Sequence, residues 1–220
     1  MKKTLSIILA LILCLCMFAG CKSNTTDATS SATSQNDANV VYPLPETLDI
    51  NNLDNCTVPV SFEKGGAYVG DGGKTVMNVT VYSNEVYDMA DIASLSENDV
   101  IVRQNEQIKI TQLERINTGI VRINGGEQNG GFDLFSNDDT VYFEIGVNDM
   151  KNYYELGNIT LPVSDEFEYI DESDIGGNVK QYYAKDILAD SGIEYNFYPN
   201  NTSIVIQDGA ITKMIKVYMP

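Results

Sequence analysis

The chain has 220 residues with 14 Lys and Arg against 31 Asp and Glu, and it contains neither histidine nor tryptophan. A formal net charge of −17 repels nucleic acid, so that class of partner is excluded. Without histidine there is no Cys-His nucleophile pair and no histidine-ligated metal site.

The chain opens with Lys2 and Lys3, and Thr4 to Gly20 then carry no charge. That stretch is short for a hydrocarbon span, which takes roughly 17–25 residues. A basic start, an apolar middle and small residues before a cysteine fit a cleavable export signal better. Phe18-Ala19-Gly20-Cys21 resembles the bacterial lipobox, whose cysteine receives a diacylglycerol and becomes the mature N-terminus. The resemblance covers residues 1–21 only. It implies cleavage after residue 20, lipidation of Cys21 and a protein held on the extracytoplasmic face of the cell membrane. The remainder looks like the many uncharacterised lipoproteins of Gram-positive bacteria, a likeness that names no activity.

Residues 21–40 follow as a tether rich in Ser, Thr, Asn and Asp, with almost nothing to bury. As a flexible coil it reaches about 25 Å. Residues 41–220 are then long enough for one domain with an adequate core. Cys14 and Cys16 lie in the signal, so Cys56 is the one cysteine of that domain and an internal disulfide is excluded.

Glycine pairs punctuate the domain at Gly65-Gly66, Gly72-Gly73, Gly125-Gly126, Gly130-Gly131 and Gly176-Gly177. Most separate runs rich in Val, Ile, Thr, Tyr and Phe, the pattern of strands and turns. In chain order the predicted strands are Thr57–Glu63, Thr75–Ser83, Val100–Arg103, Gln107–Ile116, Ile120–Asn124, Phe132–Phe135 and Val141–Ile145. Asn158–Val163, Glu194–Tyr198, Ser203–Gln207 and Ala210–Tyr218 continue the series. Asp208-Gly209 between the last two marks a type I′ hairpin. Glu85–Leu95 and Val179–Asp190 are the two candidate helices, the second carrying Val179, Tyr183, Ile187 and Leu188 on one face. The expected fold is all-β, an antiparallel barrel or sandwich with one short helix near the C-terminal third.

Two catalytic look-alikes fail on context. Gly70-Asp71-Gly72-Gly73-Lys74-Thr75 lacks the first glycine of a phosphate-binding loop, where Tyr68 stands, and a strand-like run follows it. Ser61-Phe62-Glu63-Lys64 has Ser-x-x-Lys spacing but lies on a strand-like run, where residues three apart face opposite ways.

Two groups remain as candidates. Asp165, Glu166, Glu168, Asp171, Glu172 and Asp174 form an acidic segment with oxygens enough for a hard cation such as calcium, although Ile175 and Tyr182 break EF-hand spacing. A solvated acidic loop is the plainer expectation. Tyr153, Tyr154, Tyr182 and Tyr183 are candidate ligand-facing aromatics, since tyrosine joins flat apolar area to a polar handle. No cofactor and no catalytic residue is identified. The expected function is a non-enzymatic binding or structural module at the cell surface, recognising a protein or a glycan. A tethered hydrolase using a carboxylate pair is the alternative.

Overall fold

The computed structural model describes residues 38–116, 119–136, 140–146 and 149–219. Cys21, the signal and all of the tether before residue 38 lie outside them. Strands follow in chain order as β1 (Val40–Val41), β2 (Cys56–Ser61), β3 (Ala67–Val69), β4 (Thr75–Ser83) and β5 (Val86–Asp88). Next come β6 (Val100–Arg103), β7 (Glu106–Lys109), β8 (Leu113–Ile116), β9 (Ile120–Ile123), β10 (Phe132–Phe135) and β11 (Val141–Ile145). The series ends with β12 (Tyr154–Glu172), β13 (Lys180–Tyr183), β14 (Thr202–Gln207) and β15 (Ala210–Val217). Among the described residues there are also two short α-helices, α1 (Met89–Ser94) and α2 (Ala184–Leu188). The domain is all-β, as its alternating apolar residues dictate. Among the described residues no helix is long and apolar enough to cross a membrane.

Five strands close on themselves. β2 pairs with β4, β4 with the first half of β12, the second half of β12 with β15, β15 with β14, and β14 with β2. All these pairs are antiparallel except β12–β15, which is parallel. β12 serves two neighbours because it is 19 residues long and bends, its register against β15 shifting between Val163 and Glu168. β14 returning beside β2 makes a Greek key, and the ring has the plan of OB-type five-stranded barrels. Alternation sends Val58 and Val60, Met77, Val79 and Val81, Phe167 and Tyr169, Ile204 and Ile206, and Ile211 and Met214 into one core. β3 and β13 extend the sheet beyond the ring.

The second region is built inside the β4–β12 connection, with β1 added from before β2. β8, β9, β10 and β11 form a meander with β5 on its far edge, and β6 and β7 form a hairpin beside β1. Tyr87, Ile92, Ile101, Ile110, Val121, Ile123, Phe132 and Leu134 make its separate core. Gly131 is required there, because a Cβ at that position would lie 1.9 Å from the Ile123 carbonyl oxygen. Asp208 and Gly209 both have positive φ, at 51° and 70°, as the expected hairpin turn demands.

Several elements depart from expectation. Gln107–Ile116 is two strands, because the Asn124 side chain accepts hydrogen bonds from the Thr111 and Gln112 amides and turns the chain between them. Glu194–Tyr198 carries only an isolated bridge from Phe197 to Phe62. The first candidate helix begins as β5 and becomes α1 at Asp88, whose carboxylate caps the Ala90 amide. The second is half strand, since Lys180–Tyr183 pairs with β12 before α2 starts. The acidic segment is largely strand too. Phe167, Tyr169 and Asp171 point inward and alternate with Glu166, Glu168, Ile170 and Glu172.

Candidate functional site

A cleft of about 740 Å³ opens where the chain leaves the barrel through Ser83–Val86 and re-enters it at Tyr154. Its floor is the outward side of Thr57–Pro59 on β2 with Tyr82 on β4, and one wall is the extended segment Pro43–Leu48. Pro43 and Pro45 favour extended backbone in that segment, and the Leu44 amide donates to the Val86 carbonyl at 2.6 Å, which pins it. Gln104 and Asn105, both at positive φ in the β6–β7 turn, close the far end.

Two carboxylates face this space and are held by neighbours. Glu46 accepts from the Tyr154 hydroxyl at 2.6 Å and from the Leu48 amide at 2.8 Å. Partial burial works to raise the Glu46 carboxyl, but hydrogen bonds from Ser83, Tyr154 and the backbone outweigh it and leave the group below its ordinary value. Burial and the bond to Glu46 push Tyr154 up to about 12, so its hydroxyl stays a donor at neutral pH. Glu85 accepts from the Gln104 amide at 2.7 Å and lies 3.1 Å from the Tyr87 hydroxyl. Tyr87 has one proton and also reaches the Val102 carbonyl at 2.9 Å. Among the described residues the lining contains no lysine or arginine. Asn84, Gln104 and Asn105 supply neutral donors and acceptors.

The outer face of β2, β4 and β12 leads to the cleft. Ser61 and Thr80 are register partners, as are Thr80 and Asn158, and the Thr80 hydroxyl donates to the Asn158 side chain at 2.7 Å. The Tyr82 and Ser61 hydroxyls are 3.2 Å apart. The side chains of Ser61, Thr80, Tyr82 and Asn158 make an uncharged polar row on this face.

A smaller cleft of about 240 Å³ surrounds the Arg103–Glu144 pair. Glu144 is only 4% exposed and takes both Arg103 Nε and an Arg103 terminal nitrogen at 2.7 Å, with the Asn152 amide as a further donor. The Arg103–Glu144 fork holds β6 to β11, which is structural use.

The sequence candidates scatter. Tyr154 lines the large cleft and Tyr153 is half-buried beside it in sequence. Tyr182 and Tyr183 are at the other end of β12, where Tyr182 stacks on Tyr169 with centroids 5.1 Å apart and Tyr183 is exposed. The four tyrosines therefore do not form one surface. The acids Asp165, Glu166, Glu168, Asp171, Glu172 and Asp174 spread along β12 and its turn. Asp171 is buried, and Asp174 accepts from Gly176 and Asn178. Among the described residues no three His, Cys, Asp or Glu side chains gather to hold a metal ion. Burial and Asp54 push the Cys56 thiol up, away from the reactive thiolate. Glu46, Glu85, Tyr82 and Gln104 were not legible as a site. Their one local signal is the Pro43-Leu44-Pro45 run that stiffens the wall.

No family model, curated protein or solved structure matches the chain.

Proposed function

We propose that this protein is a membrane-tethered extracytoplasmic binding module, lipidated at Cys21, whose cleft takes a neutral segment of a cell-surface glycan. The observation that carries the reading is a cleft lined by two oriented carboxylates, three amide side chains and two tyrosines with no cation. Sugar hydroxyls donate to carboxylates and amides, and sugar rings stack on tyrosine. An anionic ligand would meet Glu46 and Glu85 unpaired. The outward polar row Ser61-Thr80-Asn158 extends the same chemistry along the barrel. Some OB-type barrels bind oligosaccharides on this face, which is support by fold-level analogy alone.

A second reading, the tethered hydrolase, draws on the same two carboxylates. A glycosidase of that kind needs one carboxyl kept protonated. Glu46, held below its ordinary value, fits only the ionised member of such a pair. Calorimetric titration of the full chain with neutral wall-type oligosaccharides tests both. Binding that weakens at least about tenfold, or roughly 1.4 kcal/mol, in Glu85→Ala and Tyr82→Ala supports the module. Release of shortened sugar on long incubation supports the hydrolase. No heat with any neutral glycan overturns both. Fatty-acid labelling that is equal in wild type and Cys21→Ala overturns the tether.

A further inference from the structure

Strand β15 places Ile211, Met214 and Lys216 on its inward side, so a lysine stands at a core position. Lys216 is 0% exposed. Its ammonium donates to the side-chain oxygen of Asn196, has the Glu194 carbonyl at 3.4 Å and lies 5.1 Å from the centre of the Phe197 ring. The Cα partners of Lys216 on the two flanking strands are Asp171 of β12 and Thr202 of β14, both buried. Among the described residues no carboxylate is within ion-pair distance of its Nζ; the ion pairs are Lys64–Asp190, Arg103–Glu144 and Arg122–Asp133. A buried charge whose direct partners are neutral is expensive to keep.

The hydrogen bond to Oδ1 keeps the amine beside the amide it would attack, with a C=O bond of about 1.23 Å between the acceptor atom and the amide carbon. We propose that Lys216 and Asn196 become joined by an intramolecular amide bond, formed in the folded protein with loss of ammonia. Asp171, the Cα partner of Lys216 one strand spacing of about 4.8 Å away, is the proton acceptor, with one water relaying the proton between the two side chains. Burial opposes the charged form of Asp171, but Ser173 and the nearby Lys216 hold it low, so it begins as a carboxylate.

The step balances without any outside reagent. The Lys216 ammonium passes one proton to Asp171, and the freed Nζ lone pair forms a bond to Asn196 Cγ. The carbonyl electrons move onto Oδ1 and return as the Cγ–Nδ2 bond breaks. Nδ2 leaves with a second proton from Nζ as ammonia, which takes back the proton held by Asp171 and departs as ammonium. One charge is removed from the core, and nothing is oxidised or reduced. Asn196 is exposed, which gives the leaving ammonia a path to water. The product would anchor a segment whose backbone pairing with the sheet, among the described residues, is the isolated Phe62–Phe197 bridge.

Tryptic mapping of the purified full chain by mass spectrometry tests this. The expected result is a branched peptide joining the Asn196 and Lys216 segments, lighter by one ammonia than the sum of its linear parts, with no cleavage after Lys216. Recovery of the linear peptides with Lys216 and Asn196 unmodified overturns the proposal, as does a branch that maps to any other pair. Asp171→Asn, checked for native circular dichroism, is expected to give predominantly linear peptides. Full linkage in that folded variant overturns the role of Asp171. Because the readout is a covalent mass, it is independent of whether any glycan binds the cleft.

Discussion

The two regions of this domain solve the same problem differently. The barrel joins strands far apart in sequence, such as β2 with β14, and packs large aromatic and aliphatic side chains inside a closed ring. The second region pairs neighbours through short turns, and three arginines brace it. Arg103 forks onto Glu144, and Arg122 onto Asp133. Arg115 donates to the carbonyls of Ile92, Ala93 and Leu95 at the end of α1, where a cation suits the helix terminus. The lesson is that closure lets the barrel depend on burial, whereas the open meander needs charged clamps at its margins. The cleft lies at the junction, with its walls taken from both.

The contrast predicts a hierarchy of effects. Phe167→Ala empties the centre of the ring and should cost about 3–5 kcal/mol, measured by urea unfolding, with amide protection lost in both regions together. Protection that survived in the barrel would break the claim that the closed ring depends on burial. Gly131→Ala drives a Cβ into the Ile123 carbonyl and should cost about 2–3 kcal/mol, with exchange accelerated in β9 and β10 while barrel amides stay protected. Glu144→Gln leaves Arg103 without its counter-charge. About 1–3 kcal/mol is expected, moderated because Arg103 is partly exposed, and the same exchange experiment should confine the loosening to β6 and β11. Arg115→Met should cost about 1 kcal/mol by uncapping α1, read as a small drop in the urea midpoint.

The smallest expected effect is electrostatic. Glu46 is held below its ordinary value near 4.5, so its contribution is complete above that pH and fades as the pH falls through its folded value. Glu46→Gln should therefore leave stability at neutral pH little changed and flatten the acid limb of a pH–stability curve. An unchanged acid limb would remove Glu46 as a titrating part of the cleft wall.

Much of the fold was legible because its signals are local. The alternation in Thr75–Ser83, Val100–Arg103 and Phe132–Phe135 places strands to the residue, and Asp208-Gly209 marks its hairpin. The same logic missed the second half of β12, where inward Phe167, Tyr169 and Asp171 alternate with acids. Counting charge there hid a period of two. Tyr154 was the one candidate aromatic that reached the cleft. Glu46 and Glu85 carry no spacing signal, because Glu46 depends on a tyrosine 108 residues away and Glu85 on a turn 19 residues away.

The amino-acid sequence by itself determined β class, tight turns, an acidic composition and the lack of any histidine for catalysis or metal binding, because each rests on composition or on neighbours a few residues apart. Only the tertiary structure decided the closure of the ring, the parallel β12–β15 pair, the cleft and the burial of Lys216 beside Asn196. Each of these follows from pairings between distant strands, and local periodicity says which face of a strand is apolar without saying which strand lies across from it.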